Sequence, residues 1–307
     1  MSMQAAEPRS TLLRRMAWLT FLLLLAVTCL SAYLRQTAAG LGCQPWPACF
    51  GQGERAAAGA TLVGGQALTL ARAAHRLTAT LALLLLIAIV LTSLARRPRQ
   101  RREAALSVAL LLLALLLALL GVFTPGSRLP AVALGNLLGG FVMLALALRL
   151  AAPAPPRDRR LALGALAVAL LLAAQIVSGA LVSASQAGLA CTGIRECVEQ
   201  SSAGRWDWRA LAPWREAGFA AGTPHVEGAL AQLLHRLASL VVAPAVAGLG
   251  MWALRQGHRR EGLALLVLLF GVVALGLISG NTGLPLVPVL LHNLGTALLL
   301  AAVLRLA

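Results

Sequence analysis

Four polar residues interrupt long apolar stretches of this 307-residue chain at matching depths: His75, Asn136, His235 and His292. Each lies six or seven residues from the end of its stretch that is remote from the arginine-rich loops, roughly 10 Å at ~1.5 Å of rise per helical residue. A polar or ionisable side chain in such surroundings is costly to bury and marks a site of function. One buried histidine is accounted for by an interhelical hydrogen bond. Three at one level in a repeated framework call for a shared purpose. Imidazole ligates haem iron, and two histidines on facing helices fill both axial positions. A guanidinium suits carboxylates such as haem propionates, and an arginine follows two of these histidines, Arg76 and Arg236. Snorkelling to the membrane interface is the simpler role for both, but the recurrence of the His-Arg step favours the propionate role. Zinc needs three or four convergent ligands, usually with a carboxylate or thiolate among them. All ten acidic residues fall in loops or at the edges of the apolar stretches.

The elements that must position these residues are membrane spans. The chain is 59% hydrophobic and 12% charged, with a mean hydropathy of +0.83. Stretches near 16–34, 69–95, 104–123, 130–150, 161–183, 228–254, 262–280 and 286–305 have the length needed to cross a hydrocarbon core of about 30 Å. A soluble helical bundle cannot hide a run such as Leu106–Leu120 and keep a wet face. The fold class is therefore an all-α integral membrane protein of eight transmembrane helices. The N-terminal stretch shows no small-residue cleavage site and leads into further spans, so a cleaved signal peptide is not expected.

The formal net charge is +16, carried wholly by arginine. The arginines cluster at the N-terminus and in every second loop (Arg96–Arg102, Arg149–Arg160, Arg255–Arg260). That is the distribution of cytoplasmic loops, and no aromatic-interleaved basic patch points to nucleic acid. Both termini are then cytoplasmic, and the long loops near 35–67 and 184–227 face outward. Those loops carry two cysteine pairs of equal spacing, Cys43/Cys49 and Cys191/Cys197, which can close disulfides in an oxidising compartment. Cys29, inside the first stretch, is a small hydrophobe. The second loop also holds Trp206, Trp208 and Trp214 and has room for a short interfacial helix.

The chain repeats itself. Gly40-Leu-Gly-Cys43 matches Gly188-Leu-Ala-Cys191, His75-Arg76-Leu77 matches His235-Arg236-Leu237, and Leu129-Pro130 matches Leu284-Pro285. The expected organisation is two tandem four-helix bundles, 1–152 and 161–307, joined by a proline-bearing linker at 153–160. Each half has an even number of spans, so the pseudo-two-fold axis runs along the membrane normal and the ligand site lies between or within the halves.

Twin four-span halves, the outer loop Cys43-Gln-Pro-Trp46-Pro47-Ala-Cys49, the His-Arg steps at His75 and His235, and Leu-Leu-Gly-Gly at 137–140 together resemble haem A synthase. The resemblance runs from about residue 15 to the end. It implies that His235 and His292 hold a haem b iron in the C-terminal half. It also implies that the N-terminal half holds haem O, whose methyl group is oxidised towards haem A for cytochrome oxidase biogenesis. His75 would be the iron ligand there, and the outer cysteines would form disulfides or carry redox traffic. The resemblance further implies an inner (plasma) membrane location with haem sites towards the periplasm. Expected partners are a farnesyltransferase-type membrane enzyme that supplies haem O, oxidase assembly factors, a quinone or other electron acceptor, and a second copy in a homo-oligomer.

Two positions depart from the family pattern. Arg72 stands where the family has a glutamate, three residues before the span-two histidine, and Asn136 stands where it has the span-four histidine. An arginine cannot act as a general base, though it can steady a propionate or a developing anion. His75 alone would leave one face of the iron open. Glu54 and Glu227 are the nearest outer acids by sequence. Two further functions fit the pattern. One is a family member that binds haem b and passes haem or electrons without the oxidation. The other is a quinone-linked membrane thiol-disulfide oxidoreductase, which would use an exposed low-pKa cysteine, often in Cys-x-x-Cys. A transporter has only the repeat in its favour.

Overall fold

A computed structural model describes residues 6–38, 62–95, 101–123, 129–152, 158–215 and 228–307. Cys43, Cys49, Glu54, Glu227 and the linker prolines lie outside the described residues. Eight long helices carry the apolar stretches: α1 (Ala6–Ala38), α2 (Leu62–Leu94), α3 (Arg101–Phe123), α4 (Pro130–Ala151), α5 (Arg159–Ala184), α7 (Ala229–Arg255), α8 (Arg259–Asn281) and α9 (Leu286–Leu306). All eight are long and apolar enough to cross a membrane. A ninth, short helix, α6 (Ile194–Ala203), lies in the loop after α5. The described residues are thus wholly helix, turn and coil.

Leucine and alanine dominate these segments, and both are strong helix formers. Ends are set by local chemistry. Pro130 opens α4, where its missing N–H is no loss. Asp158 caps α5 by accepting from the Arg160 N–H at 3.2 Å. The apolar surface is turned outward as well as inward. On α2, Leu70, Leu77, Leu84 and Leu91 recur every seven residues and are 56–71% exposed, whereas Ala82, Leu86 and Ile89 are buried. A stripe of exposed leucines opposite a buried face is the pattern of a helix solvated by lipid.

Helix contacts group the spans. Helix α1 packs on α2, α2 on α3, α3 on α4, and α4 back on α1. In the second group α5 packs on α7, α7 on α8, α8 on α9, and α9 back on α5. The groups meet where α4 lies against α5 and where α9 lies against both α1 and α4. One continuous core of buried leucine, alanine, valine and phenylalanine runs through both.

Several boundaries differ from the sequence expectation. Helix α1 continues through Ala38 and α2 begins at Leu62, so the first outer loop is shorter than 35–67. Residues 35–38 extend the helix because no proline or glycine lies between Pro8 in its first turn and Gly40. The depths change accordingly. Asn136, His235 and His292 each lie six residues inside α4, α7 and α9, but His75 lies thirteen from the start of α2. In the second outer loop, the tryptophans follow α6 rather than sit within it. Trp206 is in the turn after it, and Trp208 opens a 3-10 turn to Leu211. The loop is tied back by a hydrogen bond of 2.7 Å from the Ala131 N–H to the Pro213 carbonyl at the head of α4.

Candidate functional site

His235 and His292 line one cavity of about 420 Å³. That volume falls within the roughly 300–1,000 Å³ common for ligand and cofactor sites. Its walls come from α5, α7, α8 and α9, with α1 and α4 contributing from the first group. The surroundings are mainly apolar, including Leu137, Phe141, Leu172, Ile176 and Val246.

Each imidazole is held by its Nδ1. For His292 the partner is the Val272 carbonyl on α8, at 2.9 Å. A carbonyl only accepts, so Nδ1 carries the proton and Nε2 keeps its lone pair. His235 has two neighbours on α5. Ser178 Oγ lies 3.0 Å from Nδ1 and donates its own proton to the Gln175 carbonyl at 2.8 Å. Gln175 Nε2 lies 3.1 Å from Nδ1 and donates to the His235 carbonyl at 3.0 Å. With the serine proton committed elsewhere, Oγ offers a lone pair to an Nδ1–H, whereas the Gln175 amide can only donate to a bare Nδ1, so the two neighbours suit opposite tautomers of His235. His292 is thus in the tautomer that metal-bound imidazole adopts, the far nitrogen free and the near N–H anchored to oxygen, and His235 shares it when Ser178 Oγ is the acceptor.

Glycines make room for the rings. A Cβ at Gly179 would meet His235 Cε1 at 2.7 Å, and one at Gly276 would meet His292 Cε1 at 3.0 Å. Among the described residues no three of His, Cys, Asp and Glu converge on one point, so the site offers two nitrogen ligands rather than a cage. Paired imidazoles, apolar walls and cationic edges fit an iron porphyrin with two axial ligands.

Arg236 follows His235 but is engaged elsewhere. Its Nη1 donates to the Thr192 carbonyl at 2.8 Å and its Nη2 to the Cys191 carbonyl at 3.3 Å. The residue thereby holds the outer loop over the cavity, with donors left over. Cys191 and Cys197 are joined in a disulfide with a Cα–Cα distance of 5.1 Å, and both are buried. Glu196, between them, accepts from the Thr192 N–H at 2.7 Å and from its hydroxyl. These two bonds hold its carboxyl below the usual carboxylate range.

The other predicted residues lie apart. No described residue of α2 or α3 lines the cavity. His75 is half-buried on the α2 face that also carries buried Ala82 and Ile89, while Arg72 and Arg76 are exposed. Asn136 is half-buried on α4, one turn before Gly140, whose open side faces Thr28 of α1. Cys29 is half-buried in α1.

Sequence reading missed Gln175, Ser178, Gly179 and Gly276. Gln175 carried a usable signal, as an amide in the middle of an apolar span. The glycines had none, because closeness to a ring on another helix leaves no local pattern.

Eight apolar helices around a cavity lined by two histidines define a multi-pass membrane protein. The family model for cytochrome oxidase assembly protein matches residues 14–304, and the chain belongs to that family. A relative named heme A synthase, from Shewanella oneidensis, is 29% identical over 318 aligned positions, covering 93% of this chain and 94% of that protein.

Proposed function

We propose that this protein is a haem A synthase-type oxidoreductase of the inner membrane, oxidising the methyl group of haem O towards haem A. The observation that carries the reading is the pair His235 and His292, each hydrogen-bonded through Nδ1 and lining one cavity. A haem b held there would supply one-electron redox chemistry. The chain's own part is to fix both rings through Ser178 and the Val272 carbonyl, to leave ring space at Gly179 and Gly276, and to exclude water with apolar walls. Arg236 keeps the outer loop in place over the cavity.

In the first group of helices, His75 would bind the substrate haem, with Asn136 on the facing α4 and Arg72 at the outer edge. The closed pairing α1–α2–α3–α4 and its counterpart α5–α7–α8–α9 support the division into twin halves about an axis along the membrane normal. Cytoplasmic termini, outward haem sites, a haem O-supplying enzyme, assembly factors, an electron acceptor such as quinone and a homo-oligomeric state belong to the same reading.

A second reading is a family member that binds haem b and passes haem or electrons without oxidation. Arg72 and Asn136, in place of a carboxylate and an imidazole, favour it. The thiol-disulfide reading is weaker, since Cys191 and Cys197 are buried and paired and a cycling thiol needs access.

Extracted-haem and pyridine-haemochrome analysis separates these functions, with the protein purified from cells that supply haem O. Haem b with haem A or its hydroxylated precursor is the expected result. Haem b alone points to the non-oxidising relative, and absence of all haem defeats the proposal. His235→Ala and His292→Ala should each abolish low-spin haem b. A host lacking its own haem A synthase should gain haem A on expression of this chain.

A further inference from the structure

Among the described residues that line the cavity, two carry a permanent charge, Arg35 and Arg236, and both are cations. Arg236 is occupied by the loop carbonyls. Arg35 is not: its Nη1 donates to Ser31 Oγ at 2.8 Å, and its Nε is buried with no hydrogen-bond partner among the described residues. The ion pairs among the described residues are Arg195–Glu199 and Arg215–Asp207, so neither involves Arg35. A cation in an apolar cavity without a counter-ion is costly to maintain, and an orphaned buried donor adds to that cost. Such an arrangement is completed by an anion entering the cavity.

The position of Arg35 is fixed from outside its own group of helices. Its neighbour Gln36 donates to the Leu284 carbonyl at 2.8 Å. Leu284 joins α8 to α9 in a left-handed conformation, φ +57°, which a leucine adopts only where its surroundings hold it. The end of α1 is thereby keyed into the α8–α9 turn, and a residue of the first group borders the cavity built by the second.

We propose that Arg35 is a binding residue for the carboxylate of the porphyrin in the His235–His292 cavity, supplied by the opposite half of the chain; this rests on the reading above that a haem occupies that cavity. A guanidinium fork takes a carboxylate through two parallel bonds, and the unpartnered Nε is one of the donors that such a fork uses.

The test uses the full-length protein purified with its haem, alongside Arg35→Gln and Arg35→Lys. Ferric haem carries one more positive charge than ferrous, so a nearby cation favours the reduced form. Removing it in Arg35→Gln should lower the midpoint potential of the low-spin haem by about 59 mV, a tenfold change for a one-electron couple. Transfer of haem to apomyoglobin should also speed up at least tenfold. Arg35→Lys keeps the charge and loses the fork, so its midpoint should stay near wild type while transfer still accelerates. Equal midpoints and equal transfer in wild type and Arg35→Gln would overturn the assignment. Wild-type protein without haem would instead defeat the functional reading beneath it.

If Arg35→Gln does not accumulate as folded protein, reconstitution of the haem-stripped wild type with haem dimethyl ester decides the matter. The ester has no carboxylate to offer and should bind at least tenfold more weakly than haem. Equal binding would mean that Arg35 takes some other anion, such as a lipid phosphate, and would overturn the proposal.

Discussion

Gly179 on α5 stands against the edge of His235 on α7 so closely that a Cβ there would lie 2.7 Å from Cε1 and 3.2 Å from Nδ1. The same relationship recurs between Gly276 and His292, at 3.0 and 3.2 Å. In both cases the obstacle is a ring already tied through Nδ1, which cannot swing aside without losing its bond. Gly179→Ala should therefore displace His235, at a cost of about 1–3 kcal/mol for overpacking. Purified Gly179→Ala should show loss of the low-spin haem b spectrum at near-normal protein yield. Gly276→Ala, with a few tenths of an ångström more room, should retain more haem. A wild-type spectrum in both variants would mean that the rings are not held where the structure has them.

Ser178 should tune rather than build the site. When His235 carries its proton on Nδ1, Ser178 Oγ accepts that hydrogen bond and so raises the basicity of the far nitrogen. Ser178→Ala removes a bond worth about 1 kcal/mol and leaves the ring a poorer electron donor. The haem should remain bound, with a midpoint potential above wild type. A redox titration followed by absorbance reads this directly, and a downward shift would point to the other tautomer of His235.

The outer loop and the cavity share Arg236. Its two bonds go to the carbonyls of Cys191 and Thr192, inside the disulfide-closed turn. Cys191→Ser should loosen that turn, which hydrogen exchange at residues 191–197 would register. Haem content should survive, because the bonds that hold His235 and His292 come from α5 and α8 rather than from the loop. Complete haem loss in Cys191→Ser would make the disulfide part of the binding site itself.

Acid should open the same turn. The Thr192 bonds hold the Glu196 carboxyl below its ordinary range, so the group favours the folded loop in its charged form. That contribution is full above the unfolded pKa and is lost as the pH falls through the lowered folded value. Exchange of the Thr192 amide should quicken over that acid window in wild type. In Thr192→Val, which lacks the hydroxyl donor, the onset should move to higher pH; an unchanged onset would remove the Glu196 contact as the cause.

Much of this was legible in the sequence, for physical reasons. A bilayer forces long apolar helices and excludes arginine from their middles, so the eight spans could be read by length and composition. Ionisable residues stand out against leucine, so His235 and His292 were visible as candidate site residues. The partners that orient them were harder to see. Ser178 and Gly179 look like ordinary small residues of a membrane helix, and the acceptor for His292 is a backbone carbonyl with no side-chain identity. Arg35 looked like the first residue of a loop. One additional turn of α1 turned it into a cavity residue, and element ends are where local patterns say least. The Leu-Pro repeat shows the same limit. Leu129 is extended, at φ −81°, while Leu284 is left-handed, although the two dipeptides are identical.

Asn136 offers the most informative change in the first group of helices. It lies six residues into α4, as His292 lies six residues into α9, and it shares a face with Gly140, which opens towards Thr28 of α1. His75 lies on the buried face of α2, and both helices pack on α1. An imidazole at 136 would therefore restore the second ligand that the family pattern places in span four. Asn136→His, supplied with haem O, should bind a second low-spin haem in addition to the one held by His235 and His292. His75→Ala in that background should remove the added haem and leave the first. Low-spin haem per chain, counted by electron paramagnetic resonance of the ferric protein, would then rise from one to two and return to one. If Asn136→His adds no low-spin haem, α2 and α4 do not present a common site, and the oxidation proposed for this half would have to proceed on an iron held by His75 alone.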